Sequence, residues 1–197
     1  ACRALQYCID VYPRYRIANM SIWFESSLCR SNSCSLCAKI AEATERGILV
    51  VAAAGNFGHE PDTITCPGYA PKALTVGASL PQSEVSWWED LPSWKKWWLK
   101  FSGDIAKRYG TSYSAPCASG IAALLISGFP QIKPDELKAT LKASATDVGA
   151  APNAQGAGQI NCRAATNLLF KKYRYLVSCT TYEQALQALY FNRNNRD

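Results

Sequence analysis

Residues 47–56, Gly-Ile-Leu-Val-Val-Ala-Ala-Ala-Gly-Asn, constrain the fold more than any other stretch of the chain. The run is apolar at successive positions and does not alternate, so both faces of whatever it forms must be covered. It has the length of a strand, which fits a parallel strand lying between helices. The segments around it agree. Residues 35–46 carry apolar side chains at 36, 40, 41 and 43 with charges opposite, an amphipathic helix stopped by Gly47 as its C-cap. Residues 3–9 read as the end of a helix with Leu5 and Ile9 on one face, and residues 15–23 as a strand. A further strand, 72–78, follows the turn at Pro67-Gly68. Helices and strands alternating in this way predict an α/β fold, a three-layer sandwich with a mostly parallel sheet flanked by helices. With 197 residues, 48% of them hydrophobic, the chain can bury a substantial core as one domain plus a tail.

Functional side chains in open parallel sheets gather where the strands end, which places Asn56 at a cleft. There its amide N–H can donate to a developing oxyanion; the plainer reading is an asparagine that closes a turn. A second stretch, Gly110-Thr111-Ser112-Tyr113-Ser114-Ala115-Pro116, runs into Cys117-Ala118-Ser119-Gly120-Ile121-Ala122-Ala123-Leu124-Leu125. This is a glycine turn entering a buried helix of small residues. Pro116 is expected in the first turn, where a missing N–H costs nothing. Ser112 then stands at the helix N-terminus, where free N–H groups and the helix dipole favour the anion formed in acyl transfer. The competing reading is an ordinary serine N-cap.

Asn-Met-Ser at 19–21, Val-Ala-Ala-Ala-Gly-Asn at 51–56, Pro67-Gly68, Thr75-Val76-Gly77-Ala78 and the 110–116 block follow one another in an order that resembles the subtilisin-like serine peptidases. The resemblance covers roughly residues 4–168. It implies a serine endopeptidase acting on polypeptides, with Ser112 as nucleophile and Asn56 as side-chain oxyanion donor. Ala52, Ala53, Ala54 and Gly55 would line the pocket for the residue before the scissile bond. Ser21 and Ile22 would lie on the strand that pairs with substrate. Trp23 stands where the family commonly has a glycine, so its bulk is expected to narrow the cleft or reshape its outer subsites. No cofactor is required for the chemistry. Calcium is implied as a structural ion by family habit, although no ligand cluster for it is recognisable.

Two family features are missing. The family's catalytic Asp ends an Asp-Thr-Gly-type strand and its His opens a His-Gly-Thr-type helix, both well ahead of the oxyanion asparagine. Neither motif occurs here. His59, the sole histidine, lies on the wrong side of that asparagine and reads as a loop residue; Asp10 lacks the turn glycine and reads as a surface residue. The expectation is therefore that residues 1–170 form the C-terminal portion of such a domain. A missing N-terminal part would carry the Asp and His and act as its partner, and this chain alone would not cleave. The alternative is a catalytically silent module of the same fold that binds peptides or proteins.

Other features bound the reading. The +6 charge is dispersed and no recognition motif accompanies it, so nucleic acid is not an expected partner. No apolar run is long enough for a transmembrane segment. Nine cysteines point to an oxidising or extracellular compartment, with a connectivity the sequence leaves open. Cys29, Cys34 and Cys37 cluster, but no fourth ligand follows at a recognisable spacing, so no metal site is expected there. Residues 79–109 form an atypical insertion, with Trp94, Trp97, Trp98 and Phe101 at helical spacing beside lysines. The insertion either packs on its own domain or contacts a membrane surface or partner. Residues 134–145 and 162–170 read as helices, with a short strand at 156–161 between them. The tail, 171–197, holds one amphipathic helix announced by Thr180 and Glu183.

Overall fold

A computed structural model describes residues 1–24, 34–58, 63–79 and 110–173 of the chain. The insertion with its tryptophans, the tail helix and His59 lie outside these residues, as does Cys29. The elements are α1 (Cys2–Asp10), β1 (Ile17–Met20), α2 (Ser35–Arg46), β2 (Leu49–Ala53), β3 (Leu74–Val76), α3 (Thr111–Gly128), α4 (Pro134–Ala143), the single turn α5 (Pro152–Gln155) and α6 (Cys162–Tyr173). The strands form a parallel sheet in the order β1-β2-β3, with Ile17 opposite Leu49 and Val51 opposite Leu74.

The unbroken apolar run is explained by what lies on either side of β2. Val50 and Ala52 face a core made with Leu5 and Ile9 of α1 and Leu36, Ile40 and Ala43 of α2. Leu49, Val51 and Ala53 face the opposite core, made with Ala115, Ala118, Ala122 and Leu125 of α3, Leu137 and Leu141 of α4, and Ala165 and Leu169 of α6. Every residue of β2 is buried, so each alternate position has its own hydrophobic partner layer. Three layers result, as the pattern predicts.

Local chemistry sets the ends of the elements. Gly47 adopts φ 111° at the C-cap of α2, and the next amide closes the motif by donating from Ile48 N to Ala43 O at 2.9 Å. A side chain at 47 would also meet Tyr12, whose Oη would lie 2.7 Å from the added Cβ. Pro134 opens α4, with Asp135 and Glu136 in its first turn. Arg16, just before β1, donates to Pro130 O (2.7 Å) and Ile132 O (2.8 Å) and so ties the sheet to the α3–α4 loop. The expected strand at 156–161 is reduced to one antiparallel bridge, Thr146 with Gln159.

One expectation is corrected. Pro116 is not in the first turn of its helix. Gly110 is the N-cap and α3 begins at Thr111, so the proline lies inside the helix at its sixth residue. Its missing N–H leaves the Ser112 carbonyl without the donor four residues on. The Ser21 hydroxyl takes that place, donating to Ser112 O at 2.9 Å.

Candidate active site

The C-terminal ends of β1 and β2 and the N-terminus of α3 meet at one edge of the sheet. Asn56 leaves β2 through Ala54 and Gly55, which has φ 105°. Its carbonyl oxygen Oδ1 accepts from the Thr111 backbone N–H and from the Thr111 hydroxyl, each at 3.0 Å. The same hydroxyl lies 3.2 Å from Gly55 O. The side-chain oxygen is thus committed to the first residue of α3, and among the described residues the Nδ2 amide has no acceptor. Gly110 sits against that amide: at φ 138°, a Cβ there would lie 3.4 Å from both Nδ2 and Oδ1.

Ser112 is the second residue of α3 and half-buried. A helix leaves its first four N–H groups without intrahelical acceptors, and the dipole adds a partial positive charge there. Ser112 Oγ lies 3.5 Å from Ser21 O, at the long limit of a hydrogen bond. A chain of side chains holds Ser21 in turn. Asn19 Nδ2 donates to Ser21 Oγ at 2.9 Å, and Ser119 Oγ, from α3, reaches Asn19 Oδ1 at 3.1 Å. Ser21, Asn56 and Ser112, all named from sequence, are therefore brought together. What the sequence did not indicate is the brace of Asn19, Thr111 and Ser119; only the sharing of hydroxyl and amide residues at strand and helix ends hinted at it.

The remaining named residues divide. Ala54 N donates to Val76 O and Thr65 N to Ala54 O, both at 3.0 Å, so the wall past β2 is pinned from two sides. Ala54 and Gly55 are half-buried there. Ala52 and Ala53 keep only 0% and 2% of their surface and support this wall from within the cores. Ile22 and Trp23 are exposed past the end of β1. Trp23 meets Phe57 edge to face at 5.0 Å, so an aromatic pair joins the 21–24 segment to the loop after Asn56.

A serine hydroxyl at a helix N-terminus, beside an amide whose oxygen is already occupied, is an arrangement that suits acyl transfer. The profile of the subtilase family matches residues 4–158 of the chain. The chain is a subtilase. Its sequence is 31% identical over 159 residues to the serine protease AprX of Bacillus subtilis, covering 62% of this chain and 36% of that protein. It is 30% identical over 158 residues to subtilisin BL of Lederbergia lenta, covering 76% and 56%. The chain thus spans about a third to just over half the length of these relatives. The fold is shared with the self-cleaved protease domain of PatA, at TM-score 0.63 and 22% identity over 86% of this chain and 67% of that one. The protease MycP3 of a type VII secretion system superposes at 0.56, with 22% identity over 83% and 56%.

Calcium requires several oxygen ligands. Among the described residues no three carboxylates converge. Among the same residues no helix is long and apolar enough to cross a membrane.

Proposed function

We propose that this subtilase chain is the nucleophile-bearing portion of a serine endopeptidase of subtilisin type. Ser112 attacks the peptide carbonyl. Its backbone N–H and the Asn56 Nδ2 amide bind the oxyanion, and an acyl-enzyme on Ser112 is then hydrolysed. A histidine takes the Ser112 proton and returns it to the leaving amine, and an aspartate orients that histidine. Both belong to a part of the catalytic domain outside these 197 residues. Substrate runs along the segment of Ser21, Ile22 and Trp23, with the residue before the scissile bond against Ala54 and Gly55. A secreted or extracellular setting is the family's habit and is proposed for this chain too. The observation that carries the reading is the occupied Asn56 oxygen, which holds the amide for an anion rather than for the protein's own backbone.

The Trp23–Phe57 pair supports a second reading, a silent module that binds peptides. Hydrolysis of a fluorogenic peptide distinguishes them. In the full-length natural protein, Ser112→Ala is expected to abolish turnover. Asn56→Ala is expected to lower kcat by about 10²–10³, the loss seen for such a donor in a subtilisin. The isolated 197 residues are expected to be slower by about four to six orders of magnitude, as base-less triads of this family are. Absence of turnover in the full-length protein favours the silent module.

A further inference from the structure

Behind the cleft, three sulfurs converge that are far apart in sequence. Cys34 is the N-cap of α2, Cys37 lies in its first turn, and Cys66 stands on the loop between β2 and β3. All three Sγ atoms lie within 4.8 Å of one another. Cys34 and Cys66 keep only 8% and 4% of their surface, and Cys37 is half-buried. The sequence groups Cys29, Cys34 and Cys37 and leads to no expected metal site; Cys66 is missed because nothing in a linear spacing announces a ligand 29 residues beyond Cys37.

We propose that Cys34, Cys37 and Cys66 form a structural zinc site. The geometry carries the assignment. Zinc–thiolate bonds of about 2.3 Å place two sulfurs of a tetrahedron about 3.8 Å apart, whereas a disulfide places them about 2.05 Å apart. Cys34 Sγ and Cys66 Sγ are 3.7 Å apart. A third thiol within the same span is surplus to one disulfide but is the third corner of a tetrahedron. Soft thiolate donors without oxygen ligands select zinc over calcium or magnesium. The fourth corner takes one further donor, a water or a thiolate.

The site would act on the cleft from behind. Cys66 O accepts from Phe24 N at 2.8 Å, directly past Ser21, Ile22 and Trp23. Thr65, its neighbour, holds Ala54. Gly68 approaches the end of β2 so closely that a Cβ would lie 2.7 Å from Ala53 O. Zinc would therefore fasten the substrate segment and the pocket wall to the start of α2 in one clamp. The metal's role is structural, so no step of peptide hydrolysis passes through it.

The test is metal content and spectroscopy of the full-length protein purified without chelator. One zinc per chain is expected, together with a thiolate-to-cobalt charge-transfer band of three or four thiolates after cobalt(II) exchange. Cys66→Ser should lose both, Cys117→Ser, at an exposed cysteine, neither. Removal of zinc by a strong chelator should lower Tm, and zinc readdition should restore it. A protein without zinc, a cobalt spectrum of two thiolates or fewer, or a Cys34–Cys66 disulfide in non-reducing peptide mapping overturns the site. The cobalt band of the unmutated protein decides the matter even if Cys66→Ser fails to fold. Its failure leaves the reading of Ser112 standing, because none of these readouts depends on turnover.

Discussion

At the scale of single residues, the informative positions are those where one group does what a neighbour cannot. Pro116 withholds an N–H from the Ser112 carbonyl, and Ser21 supplies an O–H to it. Ser21→Ala is expected to cost about 1 kcal/mol in urea unfolding, the worth of one such hydrogen bond. In a Pro116→Ala background, where the residue 116 amide can reach Ser112 O, the same change should cost clearly less. An equal cost in both backgrounds would show that the hydroxyl does not replace the proline's missing donor. Gly110 matters through its backbone. Gly110→Ala is strained at φ 138° directly before Thr111, which holds the Asn56 oxygen, so both Tm and any peptide turnover of the full-length protein should fall. Trp23 was visible in the sequence as a bulky replacement of a small residue, but its partner Phe57 was not, since aromatic pairing across a cleft leaves no spacing rule. Trp23→Gly should raise kcat/KM for substrates with bulky residues at the outer subsites, further from the scissile bond, by about tenfold or more relative to alanine there.

At the scale of elements, pattern served well wherever one hydrophobic face decided the outcome. Helix α2 and its Gly47 cap fall where periodicity and glycine put them. The strands came out shorter than their apolar runs, because hydrogen-bonded pairing, not hydropathy, sets their ends: Leu49–Ala53 within 48–56, and Leu74–Val76 within 72–78. The start of α3 was misjudged because Pro116 was assigned to a helix start, and the interaction that lets it sit deeper comes from residue 21. Polar seams were equally illegible. Between α4 and α6, Glu136 Oε1 receives the Tyr173 hydroxyl and the Lys172 ammonium, both at 2.7 Å. Partial burial alone would raise the Glu136 carboxyl, but the Lys172 and Tyr173 hydrogen bonds and the Lys172 charge outweigh it and hold it low. Burial and the bond to Glu136 push the Tyr173 phenol up to about 12. The lowered carboxyl stabilises the fold above the ordinary carboxylate range and loses that contribution as pH falls through its own value. The raised phenol stabilises the fold below its ordinary value of 10.0 and loses that contribution as pH rises through about 12. Glu136→Gln should therefore flatten the acid limb of a stability–pH profile and move the phenolate absorbance of Tyr173 back toward 10. An unchanged acid limb would remove Glu136 from the account.

At the scale of the whole molecule, the α/β sandwich and the meeting of Ser21, Asn56 and Ser112 were legible because both follow from short, contiguous blocks. What was not legible joins distant segments: the Thr111 and Asn19 braces, and the sulfurs of Cys34, Cys37 and Cys66. Core burial on both faces of β2 makes the sheet the rigid frame against which these are held. Ile40, with 0% exposure on one face, and Leu137, with 0% on the other, should each cost about 2–5 kcal/mol when replaced by alanine, and roughly additively, since the sheet separates them. The frame exists, on this account, to present one serine. Treatment of the full-length protein with a fluorophosphonate probe, followed by peptide mapping, tests that most directly. A phosphonyl adduct is expected on Ser112, absent in Ser112→Ala and formed far more slowly in Asn56→Ala; a protein that leaves Ser112 unmodified, or carries the adduct on another serine, contradicts the assignment of Ser112 as nucleophile.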